Sequence, residues 1–170
     1  DLHSFPTRRS SDLIAGLKSL CLTNKKMALK YLNNFYQKWS NNDLVLEKWF
    51  EMMSSLNFKV DGINYIKKLM RHKSFDMKNP NKLRSVLGTF QRENILLFHA
   101  QDSSGYKFVS QQISIIDKTN PQAAARLILP LTRFKNYNES RKNKIKKVLK
   151  NIVNKNPSND LTEIIEKALD

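Results

Sequence analysis

The sequence predicts an all-α protein, a superhelix (solenoid-like) of antiparallel helix hairpins with about eight helices. Apolar residues recur at three- and four-residue steps along most of the chain, which is typical of one face of an amphipathic helix. No segment of useful length alternates apolar and polar residues as a half-buried strand does. Polar breaks divide the helices into two-helix units roughly every 35 to 45 residues, which is the pattern of a helical solenoid.

The first two predicted helices form a hairpin. The apolar stripe of the first, over residues 24–39, comprises Met27, Leu29, Tyr31, Leu32, Phe35, Tyr36 and Trp39. After a break at 40–42, Asp43 is the predicted N-cap of the second helix. The apolar side of that helix comprises Leu44, Leu46, Trp49, Phe50, Met53 and Leu56. So short a connection requires the two helices to lie antiparallel.

Two more helices are predicted on either side of a loop at 73–80. Asp61 is the predicted N-cap of the first, which ends near His72 and has Ile63, Ile66, Leu69 and Met70 as its stripe. The loop has no periodicity and contains an Asn-Pro step, so the next helix is expected to begin near Asn81. Its stripe continues through Leu83, Val86, Leu87 and Phe90.

The C-terminal half repeats this organisation after a polar break at 101–105. A second Asn-Pro step, at 120–121, is expected to place proline at the first position of a helix that Pro130 kinks or shortens. The four helices predicted in this half lie at about 106–116, 122–134, 140–153 and 161–169.

Composition indicates one compact helical domain. The chain has 170 residues, of which 40% are hydrophobic, and a net charge of +15 spread along its length rather than concentrated in one tail. No apolar run approaches the roughly 20 residues that cross a bilayer, so no membrane partner is expected. The single cysteine, Cys21, excludes an intramolecular disulfide and favours a reducing compartment.

Residues 1–13, DLHSFPTRRSSDL, match the translation of a common sequencing-adapter string codon by codon. We therefore interpret them as an artefact and expect the native domain to occupy residues 14–170. The segment contains two arginines and two aspartates, so the charge of +15 belongs to the remaining residues.

The sequence contains no recognisable catalytic or metal-binding motif. A helical zinc protease motif places two histidines one turn apart with a glutamate between them, whereas His72 and His99 lie 27 residues apart. Cys21 has no local signature of a nucleophile, and no glycine-rich phosphate loop is present. We therefore predict no catalytic residue and no metal ligand in this chain, and we expect the chain by itself to be inactive.

A basic helical module that binds RNA or another polyanion is the alternative function. Eight cations crowd two neighbouring predicted helices, namely Arg133, Lys135, Arg141, Lys142, Lys144, Lys146, Lys147 and Lys150. Such a cluster can neutralise phosphates. However, the aromatic residues lie on core stripes and do not interleave with the cations, which favours a solvated helix surface.

Four long motifs resemble, in order, C-terminal motifs of bacterial aminopeptidase N, a zinc metallopeptidase family. They are FYQKWSNNDLVLEKWF, HKSFDMKNPNKLRSVLGTF, FHAQDSSGYKF and NPQAAARLILPLTRFKNY. The resemblance covers about residues 24–170. It implies that the chain is the last half of a C-terminal superhelix that closes over a thermolysin-like catalytic domain.

The resemblance also implies a function and its partners. The parent enzyme removes N-terminal amino acids from peptides with one zinc ion, and this part of it shapes the substrate cavity and holds no cofactor. The implied partners are the catalytic domain of the same polypeptide and peptide substrates, whereas nucleic acid is disfavoured. The bacterial resemblance and the lone cysteine together lead us to expect a cytoplasmic enzyme.

Two arginines of the family face the cavity near the leaving side of the substrate, and by motif they correspond to Arg84 and Arg126. Each interrupts an apolar stretch, where a guanidinium needs a partner such as a peptide carboxylate. The alternative is that each is a snorkelling or salt-bridged arginine on a helix flank. Asn79, Pro80 and Asn81 are expected to position the beginning of the helix that carries Arg84.

Overall fold

The computed structural model describes residues 8–56 and 61–170, which form ten helices and no strand. Helices α1 to α4 are Arg8–Thr23, Lys25–Trp39, Asp43–Ser55 and Ile63–Met70. Helix α5 runs without interruption through Pro80–Leu83, the π turn Arg84–Gly88 and Thr89–Glu93. Helices α6 to α10 are Ile95–Phe98, Ser104–Asp117, Pro121–Thr132, Glu139–Val153 and Asn159–Leu169. The predicted all-α class is confirmed.

Two of the ten helices, α1 and α6, were not predicted. Among the side chains of α1 that the structure describes, at residues 12–23, only Leu17 and Cys21 are buried, so its periodicity is weak. Helix α6 has four residues, too few for a periodic pattern. Residues 1–7 of the predicted artefact lie outside the described residues, and its origin stays a prediction.

Two predicted helix caps are wrong by one residue. The side chain of Asn42, not that of Asp43, accepts a hydrogen bond from the backbone N–H of Val45 at 3.2 Å. Asp43 is instead the first helical residue, where its carboxylate suits the positive end of the helix. Helix α4 follows Gly62, which has φ of 51° and makes no side-chain cap bond, so Asp61 is not an N-cap.

The predicted stripes of α2 and α3 are wider than the buried surface. Met27, Tyr31 and Leu44 were predicted to face the core, but they are 45%, 48% and 72% exposed. They lie at the margins of their stripes, beyond the surface that the neighbouring helices cover. The stripe of α5 is buried in full, because α5 packs against α3, α4 and α8.

The core lies between successive helix pairs. Its largest fully buried aromatic side chains are Phe50, Phe90, Phe98, Tyr106 and Phe134. The indole N–H of Trp49 donates to the carbonyl of Leu32 at 3.0 Å, which joins α3 to α2. Burial of a phenylalanine side chain contributes about 1.5–3 kcal/mol, so these rings account for much of the stability.

Polar contacts fix α5 against α3. Ser54 Oγ donates to the carbonyl of Val86 at 2.7 Å. The Asn94 amide donates to the carbonyls of Ser54 and Leu56 at 3.2 and 2.9 Å. These buried hydrogen bonds hold α5 against α3 at its middle and at its C-terminal end, and α5 also contacts α8.

Gly105 allows α7 to lie directly against the backbone of α6. A Cβ at this position would meet the carbonyl oxygen of Phe98 and lie 2.5 Å from that of Leu97. Any larger residue would therefore force the two helices apart. No helix among the described residues is long and apolar enough to span a membrane.

Candidate functional site

A cavity of about 260 Å³ lies between α5 and α8 and extends along both helices, from their first turns to near their last. It is lined by Pro80, Asn81, Leu83, Arg84, Gly88, Gln91, Arg92, Asn120, Gln122, Ala123, Arg126, Leu127 and Pro130. Three of these residues are arginines and none is acidic. The cavity is therefore suited to an anionic ligand.

Arg84 and Arg126 line this cavity from different helices, Arg84 from α5 and Arg126 from α8. Both side chains are exposed, while the neighbouring Leu83 and Leu127 are buried in the core. No ion pair within residues 8–56 and 61–170 includes either arginine. Both guanidiniums are thus available for a carboxylate, which each can bind through two parallel hydrogen bonds.

The beginning of α5 is shaped by the three residues expected to position it. The side chain of Asn79 accepts from the backbone N–H groups of Asn81 and Lys82 at 2.9 and 3.3 Å. Pro80 occupies the first turn, where its missing N–H costs nothing. Pro80 and Asn81 also line the cavity, so they lie at the site as well as directing the helix toward it.

Helix α8 begins in the same way. The side chain of Asn120 accepts from the backbone N–H of Ala123 at 3.0 Å, and Pro121 occupies the first turn. Helix α8 continues through Pro130 and ends at Thr132, two residues earlier than predicted. Since the N-terminal end of a helix carries partial positive charge, these beginnings add to the attraction for an anion.

The π turn at Arg84–Gly88 lies in the wall of the cavity and contacts α8. In it, the backbone N–H of Thr89 donates to the carbonyl of Arg84, five residues earlier. Such turns insert one residue into a helix and occur often at functional sites. Sequence analysis missed this turn, because an inserted residue leaves no signature in the apolar pattern.

Sequence analysis also missed Gly88 and Arg92, which follow Arg84 at successive four-residue steps. This spacing places residues on one face of a helix, so it was a usable signal. The sequence pattern did not single out Arg92. Its Nη2 donates to Thr89 Oγ1 at 3.3 Å, which turns the guanidinium back along α5.

Gln91 joins the two helices that carry the arginines. Its Nε2 donates to the carbonyl of Leu127 at 3.1 Å, and the side chain is buried. Its Oε1 has no hydrogen-bond partner among the described residues. This hydrogen bond joins α5 to α8 one residue from Arg126, so it helps to set the distance between the two helices that line the cavity.

His72 belongs to an aromatic cluster. Its ring packs against Tyr36, Trp49 and Phe50 at centroid distances of 5.0, 5.0 and 5.9 Å, and its Nδ1 accepts from the backbone N–H of Ser74 at 3.2 Å. Burial, together with the neighbouring charge of Lys73, lowers the pKa of His72. Its environment is that of a neutral packed ring.

His99 belongs to a second aromatic cluster, in which its ring packs against Phe98, Tyr106 and Tyr137. Its Nδ1 is 2.6 Å from the hydroxyl of Tyr106. Burial, and then the charge of Arg141, lower the pKa of His99. Within the described residues, no group of three or more His, Cys, Asp or Glu side chains is arranged to hold a metal ion. The described residues therefore do not fit a zinc site.

Several cations of the basic helix α9 make contacts within the chain. Lys142 pairs with Glu139 at 2.7 Å, and Lys144 donates to the carbonyl of Gln101 at 2.7 Å. Lys146 lies 5.7 Å from the centroid of the Phe134 ring. No specific observation favours this surface as a site for polyanions.

Comparison with known proteins identifies similar sequences. A family model described as "Domain of unknown function (DUF3458_C) ARM repeats" matches residues 7–170. Aminopeptidase N of Escherichia coli (strain K12) is 35% identical over 160 residues, which cover 94% of this chain and 18% of that protein. Aminopeptidase N of Haemophilus influenzae is 41% identical over 141 residues, which cover 81% of this chain and 16% of that protein.

A solved structure shows the same fold. The crystal structure of Legionella pneumophila aminopeptidase A in complex with aspartic acid matches with a TM-score of 0.82 and 34% sequence identity. The match covers 92% of this chain and 18% of that one. The chain thus spans less than a fifth of the length of these relatives, and the predicted resemblance to bacterial aminopeptidase N is confirmed.

Proposed function

The chain belongs to the family described as domain of unknown function (DUF3458_C) ARM repeats, and we propose that it is the C-terminal helical part of a zinc-dependent aminopeptidase. The parent enzyme removes N-terminal amino acids from peptides. Similarity to aminopeptidase N of two bacteria over most of the chain supports this activity. The catalytic domain, in this proposal, lies elsewhere in the same polypeptide.

One observation carries the proposal for this chain: Arg84 and Arg126, from separate helices, line one cavity that no acidic side chain lines. A peptide being shortened from its N-terminus has a free carboxylate on the part that leaves. The two guanidiniums bind that carboxylate and orient the peptide. The chain therefore shapes the leaving side of the substrate cavity, and its residues do not contact the peptide bond that is hydrolysed.

Asn79, Pro80 and Asn81 act through Arg84. Asn79 satisfies two N–H groups at the beginning of α5, and Pro80 restricts the backbone there. These contacts fix the direction of α5 and hence the position of the guanidinium one turn later. Replacement of Asn79 by Ala should therefore weaken peptide binding, but less than replacement of Arg84 does.

The zinc ion is proposed to bind in the catalytic domain, because no suitable cluster of ligands occurs among the described residues of this chain. When bound there, zinc supplies an activated water for attack on the peptide carbonyl. The residues of this chain hold the leaving portion in place during that attack.

A cytoplasmic location is also part of the proposal. It is supported by the single cysteine, whose thiol is buried and lies 3.9 Å from the carbonyl of Met52. Burial raises the pKa of Cys21, which keeps the thiol protonated and unreactive. A thiol of this kind has no disulfide partner and suits a reducing compartment.

The activity is tested with the parent protein and the 170-residue chain side by side. We expect the parent to release N-terminal alanine from short peptides and to hold close to one equivalent of zinc after dialysis. The chain alone should show neither property. A parent without aminopeptidase activity, or stoichiometric zinc in the chain alone, would contradict the proposal.

A further inference from the structure

The cavity contains a third arginine, Arg92, which the proposed function leaves unused. Arg92 follows Arg84 by two turns of α5 and lines the same cavity. Its side chain is exposed. The one hydrogen bond it makes in the described part of the chain is from Nη2 to Thr89 Oγ1. A guanidinium has five N–H donors, so most of those of Arg92 are free for a ligand.

Gly88 brings Arg92 close to Arg84. The position that a Cβ on Gly88 would occupy is 3.1 Å from Arg92 Nη1 and 3.4 Å from Arg84 Cγ. The two side chains therefore converge over the one residue of this helix face that has no side chain. A larger residue at position 88 would displace the Arg92 guanidinium, so the glycine leaves room for this third cation beside the aliphatic part of Arg84.

The charge in the cavity exceeds what one carboxylate can neutralise. Arg84, Arg92 and Arg126 all line it, and no aspartate or glutamate does. Glu93, next to Arg92 in sequence, is exposed and lies outside the lining. Among residues 8–56 and 61–170, none of the ion pairs includes any of the three arginines. A ligand with a single carboxylate thus leaves at least one guanidinium without a counter-charge.

We propose that this cavity selects peptides whose leaving portion carries an acidic side chain in addition to its terminal carboxylate. Arg84 and Arg126 bind the terminal carboxylate, and Arg92 binds the side-chain carboxylate. This selection rests on the proposed function, because it assumes that the cavity holds the leaving portion of a peptide. It defines a substrate class, namely peptides with aspartate or glutamate at the C-terminal end.

The test compares two tripeptides that differ only in charge, Ala-Ala-Glu and Ala-Ala-Gln, as substrates of the full-length parent enzyme. Because hydrogen bonds to a charged group are stronger than those between neutral groups, we expect kcat/KM to favour Ala-Ala-Glu about five- to tenfold. Added salt should reduce this ratio, since partly exposed charges are screened.

The variant Arg92→Gln should bring the ratio close to one by slowing cleavage of Ala-Ala-Glu alone. Gly88→Ala is a second variant, in which the added methyl displaces the Arg92 guanidinium and lowers the ratio in part. Arg133→Gln is the matched control, because Arg133 is exposed and does not line the cavity. It should leave the ratio unchanged.

Three results would overturn the selection. These are equal use of both tripeptides by the unaltered enzyme, equal losses on both in Arg92→Gln, and a change of ratio in Arg133→Gln. If cleavage of Ala-Ala-Gln still depends on Arg84 and Arg126 in any of these cases, the selection alone is wrong. If neither tripeptide is cleaved, or neither arginine affects Ala-Ala-Gln, the proposed function fails as well.

Discussion

Glycine-to-alanine substitutions at two positions should have opposite effects on stability. Gly88 has helical angles, φ −64° and ψ −43°, which alanine adopts readily. Glycine within a helix is less favourable than alanine by roughly 0.5–1 kcal/mol. The added methyl at position 88 would meet only the side chains of Arg92 and Arg84, at 3.1 Å and beyond, and these side chains can move.

At Gly105, by contrast, the neighbouring atoms cannot move to make room for a methyl group. A methyl group there would meet backbone atoms of the preceding helix, including the carbonyl oxygen of Leu97 at 2.5 Å and Phe98 Cα at 2.6 Å. Neither can rotate away, so α6 and α7 would have to separate. We expect Gly88→Ala to raise the free energy of unfolding by about 0.5 kcal/mol and Gly105→Ala to lower it by about 3 kcal/mol.

Urea denaturation of the 170-residue chain, followed by circular dichroism at 222 nm, measures both changes as shifts in the transition midpoint at constant slope. A loss of stability in Gly88→Ala would show that the Arg92 side chain cannot yield. A neutral Gly105→Ala would show that α6 and α7 do not approach as closely as described. Either result would refute this reasoning.

Three further effects on stability are expected. Asp117→Asn should lower the free energy of unfolding by about 1.5–3 kcal/mol, because the buried carboxylate accepts from Ser158 Oγ and N at 2.5 and 2.8 Å; an unchanged urea midpoint would contradict this. The pKa of His72 is lowered in the folded state, so the unfolded chain protonates first and stability should fall as pH drops from 7 through the unfolded pKa near 6.5. In urea titrations at several pH values, His72→Phe should reduce the fall in the free energy of unfolding with decreasing pH. If the fall is unchanged, groups other than His72 cause it. Deleting residues 1–13 should leave Tm unchanged, because the translation of an adapter string has no evolved contacts; a large drop would show that the segment packs.

Much of the fold follows from the apolar period. The stripe of α5 is buried because its apolar residues recur at helical spacing and α5 has neighbours on several sides. The two Asn-Pro steps mark helix beginnings, because asparagine caps free N–H groups and proline tolerates the first turn. Both begin helices that line the cavity.

Other features depend on tertiary packing, which the sequence pattern does not encode. Leu44 continues the stripe of α3 but is 72% exposed, because none of the helices in residues 8–56 and 61–170 covers that margin. Helix α6 is too short to have a period. The π turn could not be predicted, because the apolar residues on the buried side of α5 keep their helical spacing through it.

The candidate site was predicted only through family resemblance. Arg84 and Arg126 break apolar stretches, but local pattern alone also suits arginines on a helix flank. Arg92 was overlooked because its position depends on Gly88, whose missing side chain matters only once the cavity wall is formed. A glycine four residues from two arginines on one helix face was the available signal.

The proposed binding of the leaving portion's carboxylate by Arg84 and Arg126 is tested by replacing each arginine with Ala in the full-length enzyme. The measured quantity is kcat/KM for Ala-Ala and for alanine 4-nitroanilide. The anilide has no carboxylate on its leaving portion, so it serves as an internal control within each variant. Lysine variants show whether the two-bond geometry of the guanidinium matters.

We expect each Ala variant to lose about ten- to hundredfold in kcat/KM on the dipeptide, equivalent to a charge-assisted contact of roughly 1.5–3 kcal/mol. Cleavage of the anilide should be nearly unchanged, and Lys variants should recover part of the loss on the dipeptide. Equal losses on the two substrates would mean that the arginines support the fold and do not bind the substrate, which would contradict the account.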